Sequence, residues 1–594
     1  MLKDDINPVA SNDSRLKRWA RSGGLFQFNI QHSAFRIPIV FITLCFLYPM
    51  SAILRLSFAN GLSGLWAVLA DGYTWRVLGF SAGQAALSTL LTLAAGLPGA
   101  YIFARYDFPG KGLLRAVAGV PFVMPTVVVA AALGALLGPR GVDNAGLQAL
   151  LGLAQPPIHI PSGLGLVLLA HVFYNYTVVL RLVGGFWANL DPRLEQAAAV
   201  LGASRRRAIW EVTLPLLTPA LGAAALLVFI FSFTSFGVVV ILGGPRMATL
   251  EVEIYRQTSQ LLRLDVAASL ALIQAACTLA MSLAYTRLAA RSAVPLDQLP
   301  RAAVARRPRG AGQRALVGAN AGLILLLLGA PLAALALRSL IVSDGLSLGN
   351  YMALGENRTS SAFFVTPTTA LANSLRIAAA AAGIALAVGV PAAYMLASPA
   401  MLNVELRMRN GRAGHSTFNI QHSALLDALF MLPLGTSAVT MGLGYLVALS
   451  TPALVGLRAS PLLVPIVHSL VALPFVIRSL LPALRGLSPR LAEAAALLGA
   501  SPWRAWLYVE LPLITPAIIT GAVFAFTVSL GEFGASLLLT RPDAPTLPVV
   551  IFRLLGQPGA ANYGQAMAMS SILMITTAVS FLVLERVRPP GGEF

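Results

Sequence analysis

Charge is what this sequence holds least of: Asp, Glu, Lys and Arg make up 11% of its 594 residues, while 57% are hydrophobic. Soluble globular chains carry about a quarter charged residues, so a soluble fold of this size is excluded. Acid is the scarcer sign, 23 Asp and Glu against 42 Lys and Arg. A basic excess can mark a nucleic-acid partner, but most of these Lys and Arg fall in segments that alternate onto one side of the apolar runs, as cytoplasmic loops do under the positive-inside rule. The charge therefore sets orientation, with both termini cytoplasmic, and nucleic acid is not an expected partner. Cysteine is nearly missing. Cys45 and Cys277 both fall inside apolar runs, which excludes a disulfide framework and a thiolate metal site. Also lacking are a GxxxxGK(S/T) phosphate cradle, an HExxH and a GxSxG, so no catalytic residue, metal or bound cofactor is expected. The first 36 residues are polar and basic, with no small-residue cleavage pattern before Ile37. The first apolar run should therefore stay as an uncleaved anchor.

What is present in quantity is apolar sequence. A hydrocarbon core about 30 Å thick needs about 20 apolar residues of helix. Twelve windows qualify, near 37–58, 82–104, 113–137, 163–186, 218–242, 268–289, 315–338, 372–397, 424–449, 462–481, 513–540 and 564–586. Residues recur at a fixed distance: Gly202 and Gly499, His171 and His468, Arg181 and Arg478, Phe236 and Phe533, Thr249 and Thr546, and Arg256 and Arg553 all stand 297 apart. Upstream the offset drifts, to 293 for Pro98 and Pro391 and 312 for Pro121 and Pro433, so an insertion lies near 397–424. Within it FNIQHSA at 418–424 repeats 28–34 at a separation of 390. That separation is outside the duplication and reads as a tolerated insertion whose histidines are not ligands. The expected class is an all-α membrane protein of about twelve transmembrane helices in two parallel six-helix halves. Its parts are a cytoplasmic tail at 1–36, a first half at 37–290 (core 79–290), a basic linker at 291–314, a second half at 315–586 (core 369–586) and a tail at 587–594.

Between apolar runs, residues 488–516 carry helix punctuation of their own. Ser488 before Pro489 starts a helix, Gly499 stops it, and Ser501 with Pro502 starts another that should end before Pro512. The same pattern occupies 191–219. Glu493, Ala494, Ala495, Gly499, Val509, Leu511 and Pro512 resemble the EAA signature of ABC importer permeases. The first copy offers Gln196, Ala197, Ala198, Gly202, Leu214 and Pro215, with Gln196 where the family has Glu and Glu195 one residue early. The resemblance covers roughly 79–290 and 369–586. It implies a bacterial inner-membrane permease whose two loops couple to an ABC ATPase dimer on the cytoplasmic face, where ATP is hydrolysed. A soluble solute-binding protein is implied on the outer face. SFGVVVILGGPRMATLEVEIYRQ and GEFGASLLLTRPDAPTLPVVIFRLL look most like thiamine importer permeases, with fused ferric-iron permeases next. Twelve spans in two parallel halves also describe secondary transporters, but these want intramembrane ionisable groups, of which Glu532 is nearly alone, and the paired loops would be unexplained.

Four residues are candidates for the translocation path. Glu532 is an acid within a window, flanked by Gly531 and Gly534, and its duplicate position holds Ser235. Tyr174 and Asn175 lie in the fourth window and could line a pore or bond to neighbouring helices. An acid in a span is costly, and no basic residue stands near the middle of any window to pair with Glu532. Two readings stay open: it lines a wet path that favours a cation, or it is a structural carboxyl bonded to a neighbouring helix. His171 with Arg181, and His468 with Arg478, recur ten apart, the arginines reading as snorkelling side chains at span ends.

Overall fold

With no water in a bilayer core to pair exposed backbone groups, an apolar run must close its own hydrogen bonds, and helix is the local solution. The computed structural model is described for residues 36–587 apart from 60, 154, 158–159, 161, 245–246, 293–304, 343–344, 358–364 and 398–424. Eleven helices among the described residues are long and apolar enough to cross a membrane: Arg36–Ser57, Gly72–Arg105, Thr126–Gln148, Leu164–Asn189, Arg206–Phe233, Leu264–Leu288, Ala311–Leu340, Pro367–Ala397, Leu463–Arg485, Pro502–Gly531 and Ala560–Val587. A further crossing is a bent pair, Leu425–Gly435 and Ala438–Ala448, whose halves meet at 96°. In chain order these are spans one to twelve, the bent pair being the ninth. The N-terminal tail up to residue 35 with the first FNIQHSA copy, residues 293–304 of the linker, the insertion from 398 to 424 with the second copy, and the tail from 588 lie outside the described residues.

The duplication reaches single helix ends. Gly237–Leu242 recurs as Gly534–Leu539, 297 residues later, and the starts of Leu214–Phe233 and Leu250–Ser259 recur at Leu511 and Leu547. Even the caps match. The Leu250 N–H donates to Ser81 Oγ at 2.9 Å, and the Leu547 N–H to Ser374 Oγ at 2.6 Å. In each half a serine of a neighbouring span thus supplies the acceptor that a helix start needs.

Four π-helical turns, Thr43–Leu47, Ile209–Thr213, Leu325–Gly329 and Trp506–Glu510, each end two residues before a proline: Pro49, Pro215, Pro331 and Pro512. Proline lacks an N–H and its ring strikes the carbonyl four residues back. One extra residue in the turn re-spaces the ladder so that the helix continues. This corrects the expectation that the second loop helix stops before Pro512, because Pro502–Gly531 is one span.

Each half lends its first helix to the other. Span one places Ile42 and Phe46 in a core with Met441, Tyr445 and Val467, and Tyr445 Oη donates to the Cys45 carbonyl at 2.6 Å. Span seven packs its Ala330–Leu340 segment against Thr126–Leu137, and Asn320 donates to Tyr176 Oη at 3.4 Å.

Four windows expected to be unbroken are interrupted. Window 113–137 splits into Lys111–Val123 and Thr126–Leu137, because Pro125 holds Met124 extended at φ −69°, ψ 136°. Window 424–449 is the bent pair. Window 218–242 stops at Phe233 and restarts at Gly237, and window 513–540 stops at Gly531 and restarts at Gly534.

Candidate functional site

The four interruptions meet at the middle of the molecule. Gly237 lies so close to the third span that a Cβ there would stand 2.2 Å from Thr126 Oγ1, which only glycine avoids. Gly531 packs on Pro125, and Gly534 on Ala438 and Val439. Between the halves Phe236 stacks on its duplicate Phe533 with centroids 5.7 Å apart. Tyr255 sits 5.3 Å from Phe236, and its duplicate Phe552 sits 5.2 Å from Phe533. Four rings therefore form one row across the axis that relates the halves.

Glu532 and Ser235 occupy the interruptions of their respective halves, Ser235 half-buried. Glu532 is buried and capped: its carboxylate accepts from the N–H of Ala535 at 2.9 Å and of Ser536 at 3.0 Å. His468 Nε2 stands 3.2 Å from it. The expectation that no basic group reaches Glu532 is therefore corrected. His468 also meets Ser536 Oγ at 2.9 Å through Nε2 and Ser529 Oγ at 2.8 Å through Nδ1. Asn175 donates to Ser232 Oγ at 3.5 Å, at the end of the interrupted fifth span. Tyr174 is half-buried beside Phe173, 5.9 Å between centroids, and its hydroxyl finds no partner. Arg181 and Arg478 are paired rather than snorkelling free, with Glu585 at 2.9 Å and Asp427 at 3.1 Å.

Glu532 is not the only buried acid among the described residues. Glu251 and Glu253, on the short helix Leu250–Ser259, are fully buried. Glu251 accepts from Ser437 Oγ at 2.6 Å and from Gln274, so it ties the first half to the bend of the ninth span. Window averaging misses these acids because the helix is only 10 residues long. The residue signal that could have found them was the pair of acids alternating with apolar residues in LEVEI.

At one end of the bundle, Arg193–Val200 and Pro489–Leu497 follow spans four and ten. Gly202 and Gly499 then turn the chain at φ +86° and +85°, and a Cβ at either would touch nothing within 4 Å. The glycines are needed for the backbone angle alone. Ser501 Oγ caps the next helix, accepting from the Arg504 N–H at 3.4 Å, whereas the Ser488 hydroxyl makes no cap bond. Gln196, Ala197, Glu493 and Ala494 are exposed, as are Pro215 and Pro512. Ala198, Leu214 and Leu511 are half-buried and Ala495 is buried. The duplicate leucines Leu201 and Leu498 are 88% and 89% exposed, with exposed Trp210 and Trp503 nearby in the chain. Glu195 turns inward, accepting from Thr213 Oγ1 at 2.9 Å and from buried Arg105 at 3.4 Å. Its duplicate position, Ala492, has no such group.

Two fused halves, exchanged first helices, interrupted helices that meet between the halves and a matched pair of loops at one end are the features of a membrane permease. The chain resembles ABC importer permeases whose two halves are fused, and it is a multi-pass protein of the inner membrane. Residues 96–294 match the family described as the binding-protein-dependent transport system inner membrane component, whose members work in general with an ATPase and a binding protein. Similar over nearly the whole length is the thiamine transport system permease protein ThiP of Salmonella typhimurium, 28% identical over 543 residues, 90% of this chain and 92% of that protein. The protein of the same description in Brucella abortus is 27% identical over 565 residues, 93% of this chain and 95% of its own. A probable sulfate transport system permease protein of Anthoceros angustus is 32% identical over 176 residues, 27% of this chain and 60% of its own.

Proposed function

We propose that this chain forms the translocation path for thiamine. It takes the solute from a soluble binding protein on the outer face and is driven by an ATPase dimer seated on the two loops of the cytoplasmic face. The observation that carries the reading is likeness through both halves to thiamine permeases, 90% of this chain against 92% of the Salmonella protein. ATP is hydrolysed by the partner, since the chain has no phosphate cradle in its sequence, and the permease itself holds no cofactor. Its termini face the cytoplasm, where the basic residues gather.

Coupling runs through Gln196, Ala197, Ala198, Gly202, Leu214 and Pro215 in one loop. In the other it runs through Glu493, Ala494, Ala495, Gly499, Leu511 and Pro512. Surface-facing Glu493 can meet a basic group on the ATPase where Gln196 offers only an amide, so the second loop grips more strongly. The row Tyr255, Phe236, Phe533 and Phe552 closes the path, with Ser235, Tyr174 and Asn175 beside it and Glu532 holding the interrupted helix in shape. Aromatic faces suit an organic cation; a ferric ion would want oxygen ligands instead.

Expressed with its own ATPase and binding protein in a bacterium that neither makes nor imports thiamine, the chain should restore growth at limiting external thiamine. Growth only at concentrations that serve the untransformed strain equally well would overturn the assignment.

A further inference from the structure

At the end of the bundle opposite the loops, a cavity of about 360 Å³ lies between the helix Gly61–Ala70 and the first turns of spans two and six. That volume is enough for a small ligand. Its polar lining includes Tyr73, Glu253 and Gln257, which are bonded to one another. Glu253 and Gln257 are 1% and 8% exposed. Tyr73 Oη donates to Glu253 Oε2 at 2.9 Å, and Gln257 Nε2 donates to Glu253 Oε1 at 2.6 Å. Arg256 stands behind the carboxylate, 3.6 Å from Oε2. Gln257 Oε1 is buried with no hydrogen-bond partner, a costly state for an acceptor.

The fold does not need this polarity. At the duplicate positions, 297 residues on, the second half has Val550 and Leu554, both buried in its aliphatic core. The first half thus keeps a carboxylate and a carboxamide where a packed aliphatic pair suffices. What the wall leaves unfilled is acceptor capacity: Gln257 Oε1 and the spare lone pairs of Glu253. Asp71, Glu253 and Asp265 line the cavity with one arginine, Arg263, and Arg256 pairs with Glu253 from outside the lining. Exposed Trp66 and Trp75 stand at this end of the bundle, the side chains that mark headgroup depth.

We propose that this cavity binds a primary-ammonium group, its N–H donors shared between Glu253 and Gln257 Oε1. The remainder of the ligand lies against Leu56, Val68 and Leu270. The ammonium can come from the bilayer, as an ethanolamine headgroup, or from solution as a free amine. The site is peculiar to the first half and independent of which solute is transported.

The test uses the full importer complex in nanodiscs of phosphatidylglycerol with and without phosphatidylethanolamine. Retained lipid is read by native mass spectrometry, and radiolabelled ethanolamine binding is read at equilibrium. Glu253→Gln and Gln257→Leu are compared with the unsubstituted chain. The second variant introduces the residue that already packs in the other half, so it should fold. Selective retention of phosphatidylethanolamine identifies the lipid as the source, and saturable ethanolamine binding identifies the soluble amine. In either case both variants should lower occupancy about tenfold or more, as expected for loss of a charge-assisted or buried hydrogen bond. The proposal is overturned if neither probe binds above the phosphatidylglycerol control, or if binding survives in Gln257→Leu.

Discussion

Glu532→Ala should give little folded protein. The carboxylate terminates an otherwise open helix start inside the bundle by accepting from Ala535 and Ser536, and it stands against His468. Truncation leaves two backbone donors and an imidazole nitrogen facing one another in a water-poor interior. Each buried donor left without its acceptor costs about 1–3 kcal/mol, so losing the acceptor of two takes a large share of the about 5–15 kcal/mol that holds a typical domain together. Glu532→Gln should be milder, because it keeps one acceptor oxygen but turns an NH2 toward donors. Yield of monodisperse protein and melting temperature in detergent are the readouts. A normal yield and melting temperature for Glu532→Ala would contradict the capping role. If such a protein also failed to transport, the carboxylate would belong to the path instead.

Leu498→Asp should abolish stable association with the ATPase while leaving the permease folded. The side chain is 89% exposed, so the substitution costs the permease's own packing almost nothing. A leucine exposed in the free protein and buried in a complex contributes its transfer free energy, about 1.5–3 kcal/mol. A charge buried against the partner adds a desolvation penalty. Affinity should fall about 30-fold or more. Leu201→Asp, at the duplicate position in the loop whose Glu195 is already spent on Arg105 and Thr213, should weaken association less. Co-purification and titration with the ATPase decide. Unchanged affinity in Leu498→Asp would remove this loop as the docking element.

Much of this architecture is legible in the sequence. Apolar runs of about 20 residues have no alternative to helix, and identical residues at a constant offset are enough to reveal two collinear halves. The loops were legible because glycine, proline and serine fix backbone angles locally: Gly202 and Gly499 turn where their sequence positions indicate. Hydropathy averaging hid the interruptions, since a window has the same mean whether or not its helix breaks at Met124 or at Glu532. The partnership of Glu532 with His468 was hidden for another reason. The histidine's recurrence in both halves was visible, but its neighbours are set by packing between spans ten and eleven, which no periodicity encodes. Proline misled in the opposite direction: Pro512 reads as a stop, yet a π turn ahead of it lets the helix pass. The exchange of first helices, the buried Glu251 and Glu253 and the row of four rings are likewise products of tertiary contact.

Reconstitution in liposomes is the most direct trial. The chain, its ATPase and its binding protein would be incorporated together, with ATP supplied on the ATPase side and labelled solute with binding protein on the other. ATP-dependent accumulation of thiamine that needs the binding protein, with no accumulation of ferric iron under the same conditions, is the predicted result. ATP-dependent accumulation of ferric iron, or thiamine held by the binding protein yet never accumulated, would contradict it.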